Sequence, residues 1–89
     1  MLRLTLRTED TSASVIQVEG RVAGEWVALL EAECDRALTK GATVELDMTG
    51  VSDVDREGLT ALRRLRQRDV TLIGCTPIML AMLSEERLI

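Results

Sequence analysis

Alternation of apolar and polar residues along the first fifty positions predicts three strands. Leu2, Leu4 and Leu6 alternate with polar side chains, and a similar run covers 15–19. The polar residues 8–12 between these runs form a short connection, which favours an antiparallel hairpin. Arginines on the first strand predict an edge position, because charged side chains discourage further strand pairing. A third alternating run covers 44–48.

Segments in which apolar residues recur with helical spacing lie between these strands and after them. Residues 25–39 place Val27, Leu30 and Cys34 on one face, and Lys40-Gly41 is a stop signal. A second helix is predicted over 57–68, a short buried strand over 70–74, and a last helix after Thr76-Pro77. The order β-β-α-β-α-β-α predicts an α/β fold with a mixed four-stranded sheet, in which strands two to four run parallel through right-handed crossovers.

Composition restricts the function. The 89 residues, 1–89, predict a single domain, with 46% hydrophobic residues and a mainly aliphatic core, since Trp26 is the one aromatic residue. A net charge of −4 argues against nucleic-acid binding, and the lack of histidine removes the commonest base and metal ligand. Cys34 and Cys75 fit no metal or redox spacing. No apolar run could span a bilayer, so we expect a cytoplasmic protein without membrane insertion.

Acidic residues are concentrated where the second predicted helix begins. After the strand at 44–48, Thr49-Gly50 predicts a turn, and Asp53, Asp55 and Glu57 follow in a polar loop. Ser52, Asp53 or Asp55 could cap the helix. These alternate acids lack the scaffold of a calcium loop, so we expect no metal. Gly58 is a poor helix former, and a close approach by a partner or by another strand would explain it.

This stretch resembles the motif of STAS domains, which have the anti-sigma-factor antagonist fold. The matching residues read Leu46-Asp47-Met48-Thr49-Gly50-Val51, followed by Asp55-Arg56-Glu57-Gly58-Leu59. The resemblance implies a STAS-like sheet with its helices mainly on one face. It also implies a phosphorylated hydroxyl residue just before the glycine, and Glu57 occupies that position.

Glu57 therefore has two interpretations. Its carboxylate could imitate the phosphorylated state in part, or it could simply favour the start of the helix. A kinase cannot phosphorylate this position. Phosphorylation could instead be displaced to a nearby hydroxyl, at Thr49, Ser52 or Thr60, although turn and capping roles are commoner for such residues.

The resemblance implies a non-enzymatic protein-binding module. Its partner would be a kinase-type anti-sigma factor, bound through Asp53, Asp55, Arg56, Glu57 and Gly58. The alternative is an accessory subunit that binds the ATPase of an ABC-type lipid transporter, and a small-ligand domain is a weaker third possibility. No catalytic set or cofactor site is apparent. We expect a monomer or weak dimer.

Other residues could contribute to binding or to packing. Arg56 could pair with Asp53 or contact an acidic partner, although a solvated surface arginine is the favoured interpretation. Leu29 and the methionines of the last helix, Met79 and Met82, are candidates for a second contact surface, although core packing is favoured for that helix.

Overall fold

The seven elements follow the predicted order. The computed structural model describes residues 1–9 and 13–84. The elements are β1 (Leu2–Glu9), β2 (Ala13–Val22), α1 (Trp26–Thr39), β3 (Thr43–Val54), α2 (Arg56–Gln67), β4 (Thr71–Ile73) and α3 (Pro77–Ser84). Residues 10–12, which belong to the predicted hairpin turn, and residues 85–89 lie outside the described part of the chain.

The four strands form one mixed sheet in the order β1-β2-β3-β4. β1 pairs antiparallel with β2, whereas β2 with β3 and β3 with β4 are parallel. The sequence prediction of fold class is thereby confirmed. A hairpin can join neighbouring antiparallel strands directly, but each parallel pair needs a crossover, and α1 and α2 supply it.

The core lies between the helices and one face of the sheet. Leu46 and Met48 of β3 are almost completely buried, as are Leu30 of α1 and Leu62 and Leu65 of α2. The alternate residues of β3 belong to the other face, where polar side chains meet solvent. Period-two alternation therefore separates the covered face of the sheet from the exposed one.

β3 is longer than the sequence predicted. Thr49-Gly50 was expected to turn the chain, but both lie within the strand, which continues to Val54. The pairing of β2 with β3 shifts register twice, first between Gln17 and Glu19 of β2 and again between Gly20 and Arg21. At each shift β3 accommodates one extra residue, as in a β-bulge, and the ladder resumes. The predicted polar loop is therefore wrong, and Asp53 is a strand residue.

Two other predictions about the sheet need correction. Thr8 and Glu9 extend β1 instead of starting the turn. β4 covers only 71–73, and its Thr71 and Ile73 are exposed, so it is not the buried strand that was expected. Its position at the sheet edge explains this exposure, because β4 has a neighbouring strand on one side alone.

The last two helices are joined by an unexpected contact. The Arg63 guanidinium of α2 donates to the carbonyl oxygens of Leu83 (3.2 Å) and Met82 (2.5 Å) in α3. These carbonyls belong to the last turn of α3, which lacks partners within the helix. At the other end, Thr76 caps the helix, because its hydroxyl oxygen accepts from Met79 N at 3.1 Å.

α3 is packed on one side only. Met79 and Leu83 are buried, whereas Ile78 is 71% and Leu80 46% exposed. The preference for core packing of this helix is thus correct for part of its surface.

Candidate partner-binding site

The residues singled out by the sequence lie around the junction of β3 and α2. Asp53 lies near the C-terminal end of β3, and Asp55 is the N-cap of α2. Arg56, Glu57 and Gly58 form the first turn of α2. The structure therefore brings all five together, but it gives them different roles.

The Asp55 carboxylate accepts hydrogen bonds from two backbone N–H groups of the same chain. Its Oδ1 accepts from Gly58 N at 2.7 Å, and its Oδ2 accepts from Gly24 N at 3.0 Å. These two backbone donors hold the pKa of the Asp55 carboxyl below its usual value, with a further contribution from Arg21. One carboxylate thus joins the start of α2 to the turn before α1.

Gly58 is buried and contacts another strand of the same chain. A Cβ at this position would lie 2.3 Å from the Val22 carbonyl oxygen and 2.9 Å from Val54 Cγ1. The close approach that the glycine predicted is therefore made by the end of β2. Gly58 offers no side chain to a partner, and its contribution to the surface is to let the first turn of α2 lie against β2.

Asp53 has a different partner from the one considered. Its carboxylate lies 3.3 Å from Arg21 of β2, whereas pairing with Arg56 was one of the alternatives considered for that arginine. The register explains this contact, because Arg21 and Asp53 are directly paired on neighbouring strands. Asp53 remains well exposed, with 57% of its side chain accessible.

Arg56 and Glu57 are exposed and border a groove between α1 and α2. The groove has a volume of about 670 Å³. From α2 it is lined by Arg56, Glu57, Thr60 and Arg64, and from the α1 side by Gly24, Glu25, Val27, Ala28 and Glu31. The contribution of α1 was not anticipated, because nothing in the linear pattern indicates which helix will border the first turn of α2.

Two ion pairs join α1 to α2, one at the groove and one farther along the helices. Arg64 binds Glu31 through two hydrogen bonds, Nε to Oε2 at 3.1 Å and Nη2 to Oε1 at 3.0 Å. This interaction raises the pKa of Arg64. Further along, Arg68 Nη2 donates to Asp35 Oδ1 at 2.8 Å.

The nearby hydroxyl groups are mostly engaged. Thr49 donates to Asp47 Oδ1 at 2.6 Å, and Thr60 donates to the carbonyl oxygen of Arg56 at 3.1 Å. Ser52 is exposed within β3. The two hydrogen bonds from Thr49, together with the ion pair from Arg7, lower the pKa of Asp47.

Cys34 is a buried thiol and Cys75 a partly buried one. Burial raises the pKa of Cys34 to about 12, with a smaller contribution from Glu33. Burial also raises the pKa of Cys75, so a thiolate is not favoured there although the residue lies close to the start of α3. Within residues 1–9 and 13–84, no group of three or more metal-ligating side chains is assembled. No helix in that part of the chain is long and apolar enough to cross a membrane.

Comparisons with known proteins agree with this geometry. The family model described as "Mlab, STAS domain" matches residues 5–88. Among solved structures, the anti-sigma factor antagonist SpoIIAA in its unphosphorylated form superposes with a TM-score of 0.73, at 20% sequence identity, over 92% of this chain and 82% of that one. No curated protein sequence gives a significant match. The SpoIIAA likeness supports the fold and leaves the partner to be inferred.

Proposed function

The chain belongs to the Mlab-type STAS domain family, and from this premise we propose that it is a non-enzymatic protein-binding module whose binding does not depend on phosphorylation at the motif position. The observation that carries the proposal is Glu57 itself. It stands where the motif has a hydroxyl residue, and it is exposed beside a groove between two helices.

The proposed contact surface comprises Asp53, Arg56 and Glu57, with Asp55 and Gly58 supporting it from within. The two supporting residues fix the first turn of α2 against β2 and against the turn before α1. The three contact residues present both signs of charge on a short stretch of surface. Such a pattern suits a partner with complementary charges, because unmatched charges suppress the wrong partners.

A kinase-type anti-sigma factor is the first candidate partner. The SpoIIAA-like fold favours it. With a carboxylate in place of the acceptor, the module would bind its partner constitutively, or it would imitate the phosphorylated form in part, since a carboxylate carries less charge than a phosphate. The hydroxyls at Thr49, Ser52 and Thr60 remain candidates for a displaced modification.

The ATPase subunit of an ABC-type lipid transporter is the second candidate. The lack of a phospho-acceptor favours it, because an accessory subunit held permanently in a complex needs no phosphorylation cycle. In either case the protein acts as a monomer or a weak dimer in the cytoplasm, with no nucleic acid, membrane insertion or cofactor.

Binding to each candidate can be measured directly. Purified anti-sigma factor and purified ATPase subunit, taken from the same genome, are titrated into the chain by calorimetry. Arg56→Glu and Glu57→Lys should each weaken binding to the true partner at least tenfold. The controls Arg66→Glu and Glu45→Lys make the same changes at exposed positions on α2 and β3 away from the groove, and they should leave affinity unchanged. Equal effects of all four substitutions would contradict the proposed surface.

A second experiment separates the two candidates. Glu57→Ser restores the hydroxyl before Gly58, so incubation with a cognate anti-sigma kinase and ATP should transfer phosphate to that variant and not to the parent chain. Absence of phosphate on the variant, in a kinase shown to phosphorylate another antagonist, would count against the anti-sigma partner.

A further inference from the structure

A second groove lies on the opposite side of α1, between that helix and the β1–β2 hairpin. It has a volume of about 980 Å³. Leu4, Leu6 and Ile16 line it from the sheet, and Leu29 and Ala37 line it from α1. Leu6 and Leu29 are 48% and 41% exposed, and with Leu4 and Ile16 they form one contiguous apolar lining, which is the kind of surface that marks an interaction site. It shares no lining residue with the groove beside Glu57.

The groove adjoins a free sheet edge. β1 is the outermost strand of the described sheet, with β2 on one side alone. The Met1 carbonyl oxygen accepts from Arg21 N at 3.1 Å. Because amides alternate in direction along an antiparallel ladder, this contact places the backbone groups of Leu2, Leu4 and Leu6 on the outer side of β1. A row of backbone donors and acceptors therefore lies beside an apolar groove.

The charges on this edge are mainly positive, in a chain whose net charge is −4. Arg3 and Arg7 lie on the other face of β1, where Arg3 is opposite Glu19 of β2 and Arg7 is paired with Asp47 of β3 at 2.8 Å but keeps about half of its side chain exposed. Lys40 stands at the rim of the groove. Arg36, also at the rim, is paired with Glu33. A second copy of β1 added antiparallel, in a register that places Arg3 opposite Arg7, would bring like charges together, and like charges directly opposite each other on neighbouring strands repel.

We propose that β1 binds an extended, acidic segment of a partner protein as a fifth strand of the sheet. Alternate apolar side chains of that segment would enter the groove beside Leu6 and Leu29, and its acidic side chains would lie next to Arg3 and Arg7. A helix could fill the groove, but it could not pair with the backbone groups of the β1 edge. An extended segment satisfies both features, which is the basis of strand addition.

Synthetic peptides test this proposal without altering the fold. The probe is a fluorescein-labelled nine-residue peptide of alternating valine and glutamate, and its counterpart has lysine for glutamate. Fluorescence anisotropy at low salt should give at least tenfold tighter binding for the glutamate peptide, with the difference shrinking as salt is added. Two further peptides are N-methylated at alternate residues, one at the odd positions and the other at the even positions. One of them should bind at least tenfold more weakly, because its methyl groups replace the backbone N–H donors that face β1.

Variants of the chain locate the binding site. Leu6→Asp and Leu29→Asp should each weaken binding of the glutamate peptide at least tenfold, and Leu29, on the outside of α1, serves if the β1 variant does not fold. Ile78→Asp makes the same change at an exposed apolar position on α3 and should have no effect. Arg56→Glu should also leave peptide binding unchanged, which separates this surface from the partner-binding site proposed above.

Several results would overturn the proposal. The two peptides could bind with equal affinity, or neither N-methylation pattern could weaken binding. Unchanged peptide affinity in Leu29→Asp would also contradict the proposal. A chain dimer in analytical ultracentrifugation that dissociates in Leu29→Asp, with no peptide binding, would assign the groove to a second copy instead.

Discussion

The two sides of α1 are built in opposite ways. Toward α2, the ion pairs Glu31–Arg64 and Asp35–Arg68 bridge the helices at the surface, above a tightly packed core. Toward β1, the described residues form an open apolar groove with no ion pair across it. The difference follows from connectivity. α1 and α2 both cover the parallel strands, whereas β1 joins the sheet through a hairpin and no described helix lies over it.

The packing of the first turn of α2 against the sheet depends most strongly on Gly58. Gly58→Val would force side-chain atoms against the Val22 carbonyl, 2.3 Å from the position of a Cβ. We expect the free energy of unfolding to fall by about 3 kcal/mol or more, as for severe overpacking. Urea denaturation measures it. Glu57→Val places the same side chain on the adjacent, exposed position, and a loss as large there would show that a β-branched residue in the first helical turn, and not the contact with β2, is responsible.

Cys34 of α1 is buried in the core, and its burial should make the free energy of unfolding depend on pH in the alkaline range. Because its folded pKa of about 12 lies above the unfolded value of about 8.5, folding favours the neutral thiol. This stability is fully present below about pH 8.5 and is lost as pH rises toward the folded pKa. We expect stability to fall by up to about 1.4 kcal/mol per pH unit above pH 9, relative to Cys34→Ala.

Denaturation curves between pH 8 and 10.5 measure this slope. Cys75→Ala is the control, because Cys75 is only partly buried and its removal should change the slope less. Identical slopes in the parent chain and in Cys34→Ala would contradict the expectation.

Asp55 should make the stability of the fold depend on pH in the acidic range. Its pKa is lowered in the folded chain, so its contribution to stability is present above about pH 4 and is lost as pH falls through the folded value. Asp55→Ala should therefore lower the melting temperature at pH 7, and the gap from the parent chain should narrow in acid. Asp53→Ala, which removes an exposed carboxylate without a capping role, should cause a smaller drop at pH 7.

The surface ion pairs should have the smallest effect. A double-mutant cycle with Arg68→Ala and Asp35→Ala should give a coupling energy of about 0.5 kcal/mol, because both side chains are about half exposed. A coupling near 3 kcal/mol would mean that these pairs hold the helices together, and that the contrast between the two sides of α1 is electrostatic and not one of packing.

Several features of the site could be predicted from local pattern. The alternation of 44–48 predicted the strand, and the acids followed by Leu59, Leu62 and Leu65 predicted the helix. Asp55 was one of three candidate caps, and the structure selects it through its bond to Gly58 N. The length of β3 could not be predicted in this way, because the bulges that carry it past Gly50 depend on pairing with β2.

The sequence by itself determined the order of elements, the apolar face of each helix and the unusual acid at position 57. Those features arise from side-chain periodicity and residue type, which act over a few neighbouring positions. Only the tertiary structure decided that Gly58 packs against Val22, that Asp53 pairs with Arg21 and that Arg63 reaches α3. These contacts join residues far apart in the chain, and their geometry exists only once the sheet register and the helix packing are set.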